Sequence, residues 1–580
     1  MNNDFDEYDE LLDLKENDAK NINDAIGTVI TKIEPLTITE FDANIVGYII
    51  TTKRQNIRLG LYAVIPCDNE HLFTRIQKLA YIQEFEVDDA NEIHSNRMLK
   101  SNIIDEQDYK FLSFFDPICI LYEDNAKNLI RRMCDRIPRP NSPIFPVTDK
   151  LKIQTGLNIP TKGIFIGHLS VGGEIVKTSN SEGATVPYHL NNDYSLGDPL
   201  IFRHVLVCGS TGTGKSFLTK NILRQFMSKD NRYKMKNMVQ SDGSKVTKQP
   251  CIVIMDPQDE YSKMHENNPE LTREYREQLS AFDIEYDGCD VKTFSAKVDW
   301  SSYSPTSKTP HMEYSIPFKM VQNNPWLIMS SEFNENQYLA LDLLIKDYFK
   351  DDANPTYNGF IEFIDDGARK IDYVDSGKIH DATFGSVLRR VINSAYKTVF
   401  DTSAKPIDEI VKDVFKPGLV SVFPTEYISN SRSRDLIILS LMSMIVDSKL
   451  STTGDEHIKN TPIILVLDEA HRYLSKSMNE HSRRIISKFA DAARQGRKEG
   501  LGLFLITQDP QDIDDTVFKQ INTRVIMKLS NDAAINAMKV KKEFEKRIPY
   551  LKKGQMIIHS PDNSDLVELV GLSKCVVLDR

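Results

Sequence analysis

The octapeptide GSTGTGKS, Gly209 to Ser216, constrains this chain more than any other feature. It fits G-x-x-x-x-G-K-[ST], and its surroundings fit as well. The apolar run HVLVC (204–208) leads into it, and a segment with Leu218, Ile222, Leu223 and Phe226 on one stripe follows. A strand, a glycine-rich turn and a helix in this order make a cradle for phosphate. Glycine allows the tight turn and lets backbone approach an anion with no side chain between. Successive N–H groups and the helix N-terminus then point at that anion. The candidate binding residues are Gly209, Ser210, Thr211, Gly212, Thr213, Gly214, Lys215, Ser216 and Phe217. In this pattern Lys215 reaches the β- and γ-phosphates, and the Ser216 hydroxyl ligates Mg2+.

The runs GIFIG (163–167), CIVIM (251–255), PIILVL (462–467) and GLGLFLI (500–506) are short, continuous and apolar, with helical patterns between them. That alternation predicts an α/β domain with a parallel sheet covered on both faces. Ligands bind such sheets at the carboxyl ends of the strands. Asp468 and Glu469 follow PIILVL at such an end. Asp468 is placed to hold Mg2+ through water, and Glu469 to activate an attacking water. Gln508 stands at the tip of the next apolar run, where an amide can contact the γ-phosphate or the water. The distance in sequence from Lys215 to Asp468 is long for a compact domain of this kind. Helical spacing over 331–350 and 382–415 predicts a helical insertion at about 325–415. The segment 228–250 is polar and basic and reads as a surface loop.

Upstream, AIGTVITKI, NIVGYIIT and LGLYAVIP are strand-length, β-branched runs that suggest a small barrel or sandwich over 23–150, closed by the proline-rich connector RIPRPNSPIFP. Residues 1–22 are acidic and read as a solvated tail, and 151–580 as the α/β domain. The net charge of −11 argues against a protein that coats nucleic acid indiscriminately, but not against a ring with a basic pore. Seven scattered cysteines form no CxxC pair, no apolar run approaches the ~18 residues of a membrane span, and the acidic start does not read as an export signal. A cytoplasmic setting and no membrane partner are expected.

Together these pieces resemble the HerA family, within the HerA/FtsK group of P-loop ATPases. The likeness is carried by RHVLVCGSTGTGKS, CIVIMDPQDEY, LDEAHRYL, ARQGRKEGLGLFLITQDPQDI, FKQINTRVIMKL and GQMIIHS. In CIVIMDPQDEY, Gln258 and Asp259 depart from the family's usual His-Gly. The resemblance implies a RecA-like ATPase core with a helical-bundle insertion, preceded by a small N-terminal β-barrel. It implies ATP with Mg2+, and a homo-hexamer that moves along double-stranded DNA through its pore. Arg494 would be an arginine finger reaching a neighbouring subunit's site, with Arg497 or Lys498 as alternatives, and Arg203 a further arginine close to the nucleotide. Lys215, Asp468, Glu469 and Gln508 would complete the catalytic set. A partner nuclease of the NurA type, or another effector of anti-phage defence, would dock on the barrel. A second reading makes the chain an ATPase scaffold that assembles and gates such an effector without processive translocation. Basic candidates for DNA contact are Lys229, Arg232, Lys234, Lys236, Lys245 and Lys248, and Lys539, Lys541, Lys542, Lys546 and Arg547.

Overall fold

The computed structural model describes residues 24–31, 35–39, 42–83, 109–178, 184–195, 197–305, 308–329, 333–351, 355–392, 394–476, 479–563 and 566–579. The acidic tail expected over 1–22 lies outside them. The described residues form two compact units. One takes those up to Thr161 with His168–Tyr188 and Asp562–Val570; the other takes Lys162–Gly167, His189–Pro561 and those from Gly571 onward.

The first unit contains a closed barrel of six strands: β1 (Gly27–Ile30), β2 (Ala43–Ile49), β3 (Tyr62–Cys67), β4 (Glu70–Gln83), β5 (Tyr109–Glu123) and β6 (Pro143–Pro146). Their order is β2-β1-β6-β3-β4-β5, and β5 returns to pair with β2 through Ile45↔Phe115 and Tyr48↔Leu112. Closure leaves no open edge among these six strands. The long β4–β5 ladder shifts register twice, between Phe73 and Thr74 and between Ile76 and Lys78, and such bulges bend a strand as a barrel wall requires. Val29, Ile45, Ile49, Ile65, Leu72, Phe115, Ile120 and Ile144 fill the interior. At Gly27 a Cβ would lie 2.0 Å from the Tyr48 carbonyl oxygen, so only glycine fits that crossing.

The second unit is built on a nine-strand array: β7 (Val205–Cys208), β8 (Cys251–Asp256), β9 (Val291–Ala296), β10 (His311–Tyr314), β11 (Val420–Pro424), β12 (Ile463–Leu467), β13 (Leu501–Thr507), β14 (Thr523–Ile526) and β15 (Gln555–His559). Their order is β15-β14-β7-β13-β12-β8-β11-β9-β10. All neighbours are parallel except β14 with β15. Every residue of β7, β8, β11, β12 and β13 is buried, the mark of strands covered on both faces. Helices α1 (Lys215–Phe226), α2 (Glu335–Asp351), α3 (Tyr357–Asp365), α4 (Gly367–Val374), α5 (Asp381–Val391), α6 (Ser431–Leu450) and α7 (Glu480–Glu499) accompany the sheet. Helices α2 to α5 form the helical stretch between β10 and β11. Its aromatic centre is Phe318, stacked on Phe360 (5.4 Å) and edge-on to Phe400 (5.4 Å). The helical pattern read over 382–415 is broken in the structure: among the described residues after α5 it continues only as the short helices Ser394–Lys397 and Val411–Val414 and the 3-10 turn Ile407–Glu409.

One sequence expectation needs correction. The stretch 228–250 holds an antiparallel hairpin of Tyr233–Val239 with Lys245–Lys248. Tyr233 and Met235 alternate with exposed lysines and are themselves buried, and this period of two makes strands of a segment whose polarity suggests a loop.

Candidate nucleotide site

The glycine-rich turn lies between β7 and α1, at the carboxyl edge of the sheet. Gly212 and Gly214 have φ of +78° and +101°, conformations that disfavour any other residue. A Cβ at Gly209 would meet Met527 Cβ and Thr213 Oγ1, each at 2.8 Å. Lys215 folds back over the loop, its Nζ donating to the Gly209 (2.8 Å) and Ser210 (3.2 Å) carbonyls. Burial lowers its pKa, while Glu469 and Asp468 oppose that shift, so its ammonium already sits in the field of both carboxylates. Ser216 follows in the first turn of α1.

Asp468 and Glu469 follow the end of β12 and differ in environment. Asp468 is buried and accepts the Glu469 N–H (2.9 Å). Burial, then Asp256 and Glu469, push its carboxyl up to about 7. Glu469 has φ +52° and ψ +45°, a left-handed backbone that is uncommon outside glycine. This turn brings its side chain to Gln508: Nε2 donates to Glu469 Oε1 (2.7 Å), while Thr211 donates to Gln508 Oε1 (2.6 Å). The phosphate loop, the amide at the tip of β13 and the glutamate are thus one hydrogen-bonded chain. Glu469 Oε2 is buried and accepts no hydrogen bond from the described residues, and it faces His471 Nδ1 at 3.5 Å. It keeps the acceptor capacity that a base needs for a water's proton.

Sequence reasoning gave no role to Asp256. The β8–β12 register sets Met255 beside Leu467, so Asp256 ends its strand at the level of Asp468. It is fully buried and accepts the N–H groups of Tyr261 (2.9 Å) and Gln258 (3.3 Å). Burial is the main cause that pushes its carboxyl up to about 7. The signal lay in DPQDEY, where an acid ends an apolar strand just as Asp468 does. The donor set fits a hard divalent cation held with nucleotide phosphates. A serine hydroxyl and buried carboxylates are oxygen donors of the right kind, and two neighbouring buried acids gain from added positive charge. Ser216 and Asp468 would hold Mg2+, which supplies charge neutralisation on the β- and γ-phosphates.

The two arginines stand apart from this cluster. Arg494 lies on α7 with its side chain 58% exposed, and its bonds run to Asp491 Oδ1 (2.7 Å) and the Ala490 carbonyl (3.3 Å). Arg203 ends the short turn Leu200–Arg203, ahead of β7. The phosphate loop follows the other end of that strand, so about 10 Å of strand separates them. Within one chain, Arg203 is not a neighbour of the phosphate loop. His204 links the two arginine-bearing segments. The Leu503 N–H donates to its Nδ1 (3.0 Å), so Nε2 carries the proton and donates to the Ala493 carbonyl (2.7 Å). Burial lowers its pKa to about 4, so it stays neutral.

The family model described as "Helicase HerA, central domain" matches residues 195–446, and "Helicase HerA-like C-terminal" matches 356–546. The chain is 31% identical over 138 residues to the DNA double-strand break repair helicase HerA of Saccharolobus solfataricus, covering 23% of this chain and 25% of that protein. It is 25% identical over 211 residues to the corresponding helicase of Sulfurisphaera tokodaii, covering 34% and 41%. The matched stretches therefore span less than half of either relative. A probable helicase of Methanocaldococcus jannaschii is 22% identical over 555 residues, 93% of this chain and 89% of that one. Among solved structures, VirB4 of Thermoanaerobacter pseudethanolicus aligns with 71% of this chain and 97% of its own, at 13% identity and a TM-score of 0.43. The two matching models, which overlap and together run from 195 to 546, and the phosphate loop with its Asp-Glu pair lead to one assignment: the chain belongs to the HerA-type P-loop ATPases, a family of ATP-hydrolysing enzymes.

Proposed function

We propose that this chain forms a hexameric ring that hydrolyses ATP to move along double-stranded DNA. The observation that carries the reading is the division of the site. Lys215, Ser216, Asp468, Glu469 and Gln508 gather at one edge of the sheet, whereas Arg494 is exposed on α7 and Arg203 stands beyond the opposite end of β7. A guanidinium stabilises the charge that develops on a transferring phosphoryl group, and here it would come from the neighbouring chain. Glu469 would take the proton of the attacking water, and Gln508 would report the γ-phosphate to Glu469 through Thr211. Hydrolysis would then be licensed only in an assembled ring.

In this reading residues 23–150 are a separate barrel tier and 151–580 the motor, with the helical insertion at about 325–415. The barrel would dock a NurA-like nuclease or another effector, in DNA end processing or anti-phage defence. No helix among the described residues is long and apolar enough to cross a membrane, and the proposed setting is the cytoplasm. The test is steady-state ATPase of the purified protein with and without linear duplex DNA, using Glu469→Gln as the blank. A several-fold rise with DNA supports the motor. A real rate indifferent to DNA would replace it with the partner-gating scaffold.

A further inference from the structure

The hairpin Tyr233–Val239/Lys245–Lys248 has two unlike faces. Tyr233 and Met235 point inward and are buried; Tyr233 packs edge-on against Phe202 (5.2 Å) and donates to Asn192 Oδ1 (2.9 Å). Arg232, Lys234 and Lys236 fall at every second position and are exposed. The pairing of Lys234 with Thr247 puts Lys245, two residues before Thr247, on that same outer face. Four cations thus share one face of a two-stranded ribbon. The only carboxylate between Arg232 and Lys248 is Asp242, in the turn, where it accepts the N–H and hydroxyl of Ser244. The face is held in place from below. Lys236 pairs with Glu499 at the end of α7, Lys234 lies over the Tyr194 ring (4.4 Å), and Lys248 reaches the Asn460 carbonyl (2.7 Å). The ribbon therefore rests on Phe202, next to Arg203, and on the end of the helix that bears Arg494.

We propose that this outer face is where the protein grips the phosphate backbone of a nucleic-acid duplex. The inference rests on the DNA reading above and says which element makes the contact. A row of cations on a hydrogen-bonded ribbon can meet successive phosphates without ordering a loop first, which lowers the entropic cost of binding. Such contacts carry affinity without sequence preference. The other basic stretch, Lys539 to Arg547, interleaves its cations with Glu543 and Glu545 and offers no comparable run of cations at alternate positions.

The test is fluorescence anisotropy of a labelled 40-base-pair duplex of mixed sequence, titrated with full-length protein at several salt concentrations. The proteins are wild type, Lys234→Ala/Lys236→Ala/Lys245→Ala, the same three positions changed to Arg, and Lys539→Ala/Lys541→Ala/Lys542→Ala. The slope of log K against log salt is expected to become shallower by about 3 in the hairpin alanine variant, because each lost phosphate contact removes about 0.9. The arginine variant should restore the slope, which a merely misfolded hairpin would not predict. An unchanged slope in the hairpin variant, or the loss appearing in the 539–542 variant instead, overturns the inference and leaves the DNA reading standing. Wild-type protein that fails to bind the duplex at low salt overturns both.

Discussion

The two edges of the central sheet are built on opposite principles. At the carboxyl edge, polar groups are buried, bonded to one another and held in unusual backbone: Lys215 on loop carbonyls, Gln508 between Thr211 and Glu469, and Asp468 beside Asp256. Beyond the amino edge, cations are exposed or carried on elements that face outward: the outer face of the hairpin and Arg494 on α7. His204 joins α7 to the sheet, and Phe202 packs against the hairpin's Tyr233. The first edge has the preorganisation of a site for chemistry, where fixed dipoles cost nothing to reorganise during reaction. The second has the character of surfaces that meet something else. The function proposed above draws on both, because only the second could make hydrolysis depend on assembly and on DNA.

The sharpest way to break this contrast is at Glu469. Glu469→Gln keeps the Gln508 contact possible but removes the base, and turnover should fall by about 10³-fold or more with nucleotide binding retained. Rapid-quench measurement of phosphate release alongside nucleotide-binding titration checks it. A variant that binds and still turns over near the wild-type rate would move the base elsewhere. Gln508→Ala should cost about tenfold in turnover, the worth of one orienting contact of about 1.4 kcal/mol, and its effect should shrink when Thr211→Ala is already present. Fully additive losses would mean that the two residues do not act as one relay.

The smallest expected effect concerns stability. Asp256 and Asp468 each sit at about 7 in the folded chain against 3.8 when exposed. Between those values the folded state binds more protons than the unfolded one, so nucleotide-free stability should fall as pH rises from about 4 to about 7. Asp256→Asn should flatten that fall, read as thermal midpoint against pH in the absence of nucleotide. A wild-type midpoint that rises steadily over this window and a variant that follows it would contradict the assignment.

Much of this was legible in the residues, for a physical reason. Fully covered parallel strands must be short, continuous and apolar, so β7, β8, β12 and β13 announce themselves, and chemistry follows at their carboxyl ends. Asp468, Glu469 and Gln508 were read that way, and Lys215 from the glycine-rich motif itself. What stayed hidden depends on contacts distant in sequence or on backbone. Asp256 ends an apolar run as Asp468 does, but only the β8–β12 register sets the two strand ends side by side, and the left-handed turn at Glu469 has no glycine to mark it. His204 is tied to a carbonyl 289 residues away. The hairpin over 233–248 was read as a loop because its composition is polar, although its period of two was present. Arg203 was expected close to the nucleotide, and the strand order puts it at the far end of β7 from its own chain's loop.

The most direct test of the central account, that one site is shared between chains, is ATPase activity in mixed assemblies. Arg494→Ala alone should bind ATP but lose about 10³-fold in turnover, as Glu469→Gln does alone. Mixed in equal amounts, the two variants should recover a measurable fraction of wild-type activity, because some interfaces then pair an intact Glu469 site with an intact Arg494. Mixed rings, shown to form by differential tagging and pull-down, that recover nothing would contradict the account and return Arg494 to a structural role on its own helix.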